Sequence, residues 1–492
     1  MKKKDNDKKM NTELLEMLNE QSPTNRTMIL LEMPWGRDKD PRIPLGHASL
    51  LASLKKFGSG EVVSIVSPIN DSRTTPEYLL EMILDIINHR CEVDIAIGAY
   101  VWCEDVLTKL LTLLRTSGFP GRIILGGPQI SYTPSGLEEL YPEADVFVRG
   151  YGEMAIVGLF NEPNIEQIQG VHFAGGKDLN EQTIVDLSML PSPWLTESID
   201  LDNQKFIRWE SQRGCPFTCG FCQHKEAGMR LKRQELDQGR VLSEIDLFCR
   251  SEVEEIAVLD PIFNSNRSVA KLILQRFIDN NFTGKLALQC RAEMCDEEFL
   301  IMCSQLNVKL EFGLQTIHKV EYDAVNRPNN MRKVNEVFDK LTPLNIDIEV
   351  SIIFGLPNQT LTSFQETVDW CLSKQIPVIK AFPLMLLRGT EVEQRRVEWG
   401  LLESSGTMPV VEKSDTFSHE EWLEMCRLSE ALKITEGNHP ATVDELSEIT
   451  SELGVRMERF HPIQPTIETG WMKFSRSVRG FTFWKLFGKN PA

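Results

Sequence analysis

Cys215, Cys219 and Cys222 lie within a single stretch, RGCPFTCGFCQH, that runs from Arg213 to His224. The C-x3-C-x2-C spacing brings three thiolates towards one point, the donor set that an iron-sulfur cube takes when one iron is left open for a small molecule. Four cysteines are the commoner complement, so the missing fourth ligand is informative. Adding His224 gives a Cys3His set that would equally suit structural zinc. Structural zinc usually staples a small module, whereas this loop opens a region large enough to fold without it. The protein has eleven cysteines, an odd number, and the rest form no comparable group. Cys290, Cys295 and Cys303 come nearest, but their spacing spreads them over a strand end and a helix, and Cys426 reads as buried in HEEWLEMCRLSEAL.

The elements needed to hold such a loop follow from periodicity. From KFIRWES onward, EEIAVLD, KLALQC, VKLEFG, IDIEVSIIFG and IPVIKAFPL are β-rich runs separated by helix-length sequence. Six βα units predict a partial (β/α)6 barrel of parallel strands over residues 205–395, with its chemistry at the C-terminal strand ends. The cysteine loop follows the first of these strands directly. An earlier alternating series comprises MILLEM, EVVSIVS, VDIAIGAY, GRIILGG and ADVFVRGYGE, with helical patterns between them. It predicts an α/β, Rossmann-like domain over 28–160, preceded by an extension, 1–27, and followed by a connector, 161–204, that carries DLSMLPSPW. Residues 396–492 read as mainly helical.

The cysteine spacing, with the aromatic Phe221 just before the third cysteine, resembles the signature of the radical S-adenosylmethionine (SAM) enzymes. The resemblance implies that Cys215, Cys219 and Cys222 ligate a [4Fe-4S] cluster. Its open iron would chelate the methionine moiety of S-adenosyl-L-methionine, with backbone near Phe221 against adenine. It implies further SAM contacts at strand ends: Asp260 and Asn264 in VLDPIFN, Arg291 in QCRAE, Glu311 and Gln315 in EFGLQT, and Ile353, Gly355 and Leu356 in SIIFGLP. Each also has a plain structural reading as a strand-end turn, an ion pair, a polar interior layer or core. His224 has no implied role.

In front of the barrel, GGPQISYTPSG combines Gly126 and Gly127, which let backbone approach a ligand, with Ser131, Tyr132, Thr133 and Ser135 as hydrogen-bonding side chains. With Gly150 and Gly152 in VRGYGE, it resembles the cobalamin-binding domain of one large radical SAM subgroup, over roughly residues 28 to 395 with the barrel included. No G-x-G-x-x-G fingerprint occurs, and the D-x-H-x-x-G motif that supplies a histidine to cobalt elsewhere is missing. His47 stands outside that context, while Trp102 and Cys103 lie where a loop could approach a corrin or simply pack. The resemblance implies a cobalamin-dependent methyltransferase acting on an unactivated carbon or phosphorus. Other outcomes known for the subgroup are rearrangement, cyclisation or carbon-heteroatom bond formation. The competing reading from another class is a non-catalytic zinc protein.

The remaining features bound the partners. A formal net charge of −18 disfavours sequence-independent nucleic-acid binding. MKKKDNDKK leads into polar sequence rather than an apolar signal core, and no apolar run reaches the roughly 20 residues of a membrane span, so a cytoplasmic enzyme is expected. The expected partners are a small-molecule or peptide substrate and a reducing protein such as flavodoxin or ferredoxin. The tail GWMKFSRSVRGFTFWKLFGKNPA, with Lys473, Arg476, Arg479, Lys485 and Lys489, suits packing against the parent domain better than a membrane surface, since it lacks clean helical spacing.

Overall fold

The structure is a computed structural model that describes residues 25–90, 92–224, 234–406 and 408–452. The basic-aromatic tail and nearly all of the 1–27 extension lie outside the described residues. Alternating burial in the first strands builds a three-layer unit. In β1 (Arg26–Glu32), Ile29 and Leu31 join one core and Met28 and Leu30 the other, because successive side chains leave a strand on opposite faces. The first core is covered by α2 (Pro76–Ile87) and α3 (Glu104–Thr116), through Leu79, Ile83, Leu107 and Leu111. The second is covered by α1 (Leu45–Phe57) and α4 (Glu153–Asn161), through Leu51, Leu54, Ile156 and Phe160.

The remaining strands of this sheet are β2 (Glu61–Val66), β3 (Glu92–Gly98), β4 (Ile123–Gly126), β5 (Val146–Val148) and β6 (Val171–Phe173). Their order is β2-β1-β3-β4-β5-β6, parallel except for the β5–β6 pair. β6 differs from the sequence reading, which placed residues 161–204 in a connector. Three residues after a left-handed Gly170 are too few to show a period, and their pairing with β5 is decided by tertiary contact.

The six strands expected for the barrel all form: β7 (Phe206–Trp209), β8 (Glu255–Val258), β9 (Lys285–Cys290), β10 (Asn307–Gln315), β11 (Asp347–Phe354) and β12 (Val378–Pro383). They make one all-parallel sheet in sequence order. On β10, Leu310, Phe312 and Leu314 are buried in the core, while Lys309, Glu311, Gly313 and Gln315 occupy the other, more open face. There Lys309 bridges Glu311 at 2.7 Å and Glu349 at 2.8 Å, and Lys380 reaches Glu349 at 2.7 Å. α5 (Gln238–Arg250), α6 (Arg267–Asp279), α7 (Glu297–Ser304), α8 (Lys319–Ala324), α9 (Met331–Leu341) and α10 (Leu361–Ser373) alternate with the strands.

Beyond the sheet, α11 (His419–Ile434) is started by a reciprocal Ser418–Glu421 capping box and buries Trp422, Met425, Cys426 and Leu432 in the barrel core. Cys426 is therefore a core residue, as the sequence suggested. α12 (Val443–Glu452) follows, and a short antiparallel ribbon, Leu402–Glu403 with Val411–Lys413, adds strand to the region read as helical. No helix among the described residues is long and apolar enough to cross a membrane.

Candidate functional site

The cysteine loop leaves β7 through a clamp. Asp260, fully buried just past β8, accepts from the Ser211 amide at 2.8 Å, the Ser211 hydroxyl at 2.5 Å and the Gln212 amide at 3.2 Å. Burial pushes its pKa up to about 7 despite those donors. Gln212 adds a bond from Nε2 to the Ile262 carbonyl at 2.9 Å. With both oxygens engaged, Asp260 supports the loop from below. Asn264 works similarly, donating to the Arg291 carbonyl at 2.9 Å and accepting from the Arg291 amide at 3.1 Å, which ties the ends of β8 and β9 together.

Further along, Gly214 takes a left-handed φ of 81°, which turns the chain into the cysteines. The Gly220 amide donates to the Val325 carbonyl at 2.7 Å, and the Gly220 carbonyl accepts from the Val392 amide at 3.0 Å. Asn326 Nδ2 reaches the Thr218 carbonyl at 3.0 Å and its hydroxyl at 2.8 Å. Backbone and supports are thus satisfied while the thiols are left to the interior of the loop. Cys219 is buried and Cys215 and Cys222 partly so. Burial, with smaller contributions from Cys219 and Cys215, pushes the Cys222 thiol up to about 11, so the three thiols share one electrostatic neighbourhood.

Two guanidinium groups stand over this neighbourhood, and sequence reading found only one of them. Arg327 donates from Nη1 to Cys219 Sγ at 3.5 Å and from Nη2 to the Gly313 carbonyl, and its Nε is buried with no partner. Arg291 lies 4.1 Å above the Phe217 ring and donates to the Pro328 carbonyl at 2.9 Å. Desolvation, and then the nearby positive charge of Arg327, lower its pKa. The signal that could have exposed Arg327 is VNRPNN, a polar run with a proline that closes the short helix after the fourth barrel strand.

A cluster of negative thiolates, and a carboxylate beside it, suit this paired positive charge and the spare Nε donor. Among the described residues no three histidine, cysteine or acidic side chains converge closely enough to hold a single metal ion. His224 is exposed, and its backbone amide, not its ring, meets Cys222 Sγ, at 3.3 Å. The three thiols by themselves are the donor set that an iron-sulfur cube with one open iron takes.

The other strand-end residues divide. Phe221 packs partly buried against the barrel core. Glu311 is paired with Lys309 on the open face, and Gln315, at a bulge in β10 with φ of 69°, lies at the rim beside Arg327. Ile353 also lies on the open face. The amides of Gly355 and Leu356 both donate to Gln359 Oε1, at 2.7 and 3.2 Å, and Leu356 is fully buried. Gln359 thus occupies backbone groups that the resemblance offers to adenine.

At the facing rim, the glycine loops follow β4 and β5. Gly127 has φ of 94° and ψ of −178°, and a Cβ there would stand 2.8 Å from the Ala99 carbonyl. Gly150 has φ of 80°, and a Cβ would lie 3.0 Å from the Thr183 carbonyl. A Cβ at Gly126 or Gly152, by contrast, would make only ordinary van der Waals contact, with the Val148 carbonyl at 3.8 Å and the Leu50 side chain at 3.5 Å respectively, so neither position requires glycine for want of space. Ser131 Oγ accepts from the Gly150 amide at 3.0 Å, joining the two loops, and Thr133 donates to the Gln129 carbonyl at 2.6 Å. Ser135 is exposed and Tyr132 partly buried.

No histidine occurs on these loops. His47 is buried in α1, bonded to Ser64 Oγ at 2.8 Å, and desolvation lowers its pKa to about 4. Trp102 donates to the Met33 carbonyl at 3.0 Å and stacks on Tyr100 at 4.6 Å, while Cys103 is buried beneath. Any corrin on this rim would be held without a histidine from these loops.

The two rims are joined by charge. Arg213, two residues before Cys215, bridges Glu210 at 2.8 Å and Glu153 at 2.7 Å and stacks on Tyr151. Elsewhere Arg208 pairs with Asp40 at 2.8 Å and Lys39 with Glu255 at 3.0 Å.

Residues 209–371, which hold the cysteine loop and β8 to β11, match the family model of the Radical SAM superfamily. The chain is 24% identical over 322 residues to the cobalamin-dependent radical SAM methyltransferase TokK of Streptomyces tokunonensis, covering 60% of this chain and 47% of that protein. It is 24% identical over 323 residues, with the same coverage, to 2-(S-pantetheinyl)-carbapenam-3-carboxylate methyltransferase of Streptantibioticus cattleyicolor. The chain thus spans about half the length of these curated relatives. Among solved structures, the radical S-adenosylmethionine methyltransferase TsrM of Kitasatospora setae, with cobalamin and [4Fe-4S] cluster bound, superposes with a TM-score of 0.62 at 16% identity, over 81% of each chain. The apo form of the cobalamin-dependent S-adenosylmethionine radical enzyme OxsB does so with a TM-score of 0.62 at 16% identity, over 85% of this chain and 67% of that one. These likenesses establish the shared two-domain fold.

Proposed function

From a chain whose residues 209–371 form a radical SAM domain, related to cobalamin-dependent radical SAM methyltransferases, we propose a radical enzyme that methylates an unactivated carbon or phosphorus centre. The observation that carries the reading is the cysteine loop itself. Three thiols lie beside Arg327 and Arg291, on a rim tied by Arg213 to Glu153 at the foot of the glycine-loop domain. When bound, a [4Fe-4S] cluster supplies the electron that cleaves S-adenosylmethionine to a 5'-deoxyadenosyl radical, and cobalamin supplies a carrier for the methyl group.

Cys215, Cys219 and Cys222 hold the cluster, and Arg327 and Arg291 balance its negative charge. The buried Nε of Arg327, which has no partner in the protein, is the donor left for an incoming carboxylate. Asp260, Asn264, Gly220 and Asn326 keep the loop rigid, so that little reorganisation accompanies electron transfer. The loops that carry Gly126 and Gly152 would take the corrin edge. Leu259 and Phe382, exposed on the open face of the sheet at the strand ends, keep water from the reacting centre when a substrate lies between the domains. The reductant is a reducing protein such as flavodoxin or ferredoxin, and the setting is the cytoplasm.

The test is anaerobic. The protein is reconstituted with iron, sulfide and hydroxocobalamin, given S-adenosylmethionine and a strong reductant, and its nucleoside products are identified by mass spectrometry. 5'-Deoxyadenosine is expected, lost in the Cys215→Ala, Cys219→Ala, Cys222→Ala triple variant, together with S-adenosylhomocysteine only when cobalamin is bound. 5'-Deoxyadenosine without S-adenosylhomocysteine would replace methylation by another radical outcome. Neither product, with stoichiometric zinc on the cysteines, would overturn the enzyme reading.

A further inference from the structure

A strap of five residues after the last barrel strand, Arg388 to Val392, touches both rims at once. On the barrel side its contacts are made by backbone: the Arg388 carbonyl accepts from Gln223 Nε2 at 2.9 Å, and the Val392 amide donates to the Gly220 carbonyl at 3.0 Å. Gln223 immediately follows the third cysteine. On the side of the N-terminal sheet the contacts are made by the Arg388 side chain. Its guanidinium donates to Glu104 Oε1 at 2.5 Å and to the Tyr141 hydroxyl at 3.0 Å, and that hydroxyl donates in turn to Glu104 Oε1 at 2.7 Å. Gln129, on the glycine loop, donates to the other oxygen of Glu104.

The next residue, Gly389, is left-handed with φ of 69°, and a Cβ there would run into the Tyr132 carbonyl. The strap therefore lies flush against the loop that carries Gly127 and Tyr132. It also walls a cavity of about 270 Å³ between the domains, lined by Val101, Glu104 and Gln129 on one side and Leu386, Arg388 and Pro409 on the other.

We propose that Arg388 is a positioning residue, which fixes the glycine-loop rim relative to the cysteine loop so that the two cofactor sites keep one working distance. The proposal rests on the functional reading above. Its division of labour is specific. Removing the side chain breaks the hold on Glu104 and Tyr141 but leaves the backbone bonds to Gln223 and Gly220, so the cysteine loop stays supported while the facing rim is released.

The experiment compares wild type, Arg388→Ala, Arg388→Lys and Glu104→Gln as full chains. Glu104→Gln removes the charge of the same pair from the other side, weakening it, and guards against a folding defect of one variant. Hydrogen–deuterium exchange on the cofactor-free proteins is expected to rise at least several-fold over residues 127–141 in Arg388→Ala and Glu104→Gln, with residues 215–224 unchanged. After reconstitution, 5'-deoxyadenosine formation is expected to stay within about twofold of wild type while S-adenosylhomocysteine formation falls at least tenfold, with partial recovery in Arg388→Lys. Unchanged exchange over 127–141, or an equal fall of both products, would overturn the proposal. If wild type makes no 5'-deoxyadenosine, the functional reading fails, and the exchange measurement still decides whether Arg388 holds the rim.

Discussion

At the barrel rim the side chains able to do chemistry are left spare, and the backbone around them is tied down by Asp260, Val325, Asn326 and Val392. At the facing rim the reverse holds. Ser131, Thr133 and Gln129 use their side chains to brace the loops, around turns set by the left-handed Gly127 and Gly150. The difference follows from the groups to be held. A cluster is bound covalently by a few side chains, so residue types and spacing carry it. A corrin is held over a wide surface by shape and backbone, which leaves little mark on side-chain identity.

The sharpest break in that comparison is Arg327, a side chain that serves the barrel rim without being part of the cysteine motif. A charge-assisted hydrogen bond contributes about 1.5–3 kcal/mol, so Arg327→Ala should slow 5'-deoxyadenosine formation roughly 10- to 100-fold. The slowing should appear at subsaturating S-adenosylmethionine as a higher KM, with iron content per chain retained and partial recovery in Arg327→Lys. Loss of iron along with activity would make Arg327 a support for the loop instead.

A second comparison sets one buried carboxyl in each domain side by side. Asp260 at the end of β8 and Glu32 at the end of β1 are both pushed up to about 7, chiefly by burial. Each keeps in the folded state a proton that the unfolded chain releases near pH 4. Its contribution to stability is therefore complete below about pH 4, declines as pH rises and is gone above about 7, a change on the order of 3 kcal/mol for each group. Asp260→Asn and Glu32→Gln should each remove one share of that slope in urea unfolding measured from pH 4 to 8. A wild-type-minus-variant difference that rises with pH would reverse the assignment.

What the sequence made legible follows the same division. The alternation of strands and helices, the six barrel strands and the cysteine loop were readable because period and spacing are local properties. Arg327 and Arg388 were not, since each is a lone arginine in a loop whose partners lie far away in sequence: Cys219 for one, Glu104 and Tyr141 for the other. Asp260 and Asn264 were found as polar strand ends. Their targets, Ser211 and the Arg291 backbone, emerge only when neighbouring strands are set side by side. Gln359 was missed for the same reason, because its claim on the Gly355 and Leu356 amides depends on how the turn after β11 folds back.

Smaller effects belong to the glycine rim. Gly127→Ala forces a side chain into a backbone region that only glycine occupies easily, against the Ala99 carbonyl, and should cost about 1–3 kcal/mol without cofactor present. A melting temperature unchanged in the cofactor-free protein would show that this turn is not built as described.

Ser131→Ala is the mildest change and separates the two roles of that hydroxyl. If Ser131 serves to join the loops, removing it leaves the Gly150 amide without its acceptor, and stability should fall by about 1 kcal/mol with cobalamin affinity lowered only in proportion. If the hydroxyl instead holds the corrin, cobalamin retention after gel filtration should fall while the cofactor-free melting temperature stays constant. The first outcome is expected, because a side chain already accepting from a neighbouring loop is oriented by that bond, and turning it to a ligand would open the junction between the loops after β4 and β5.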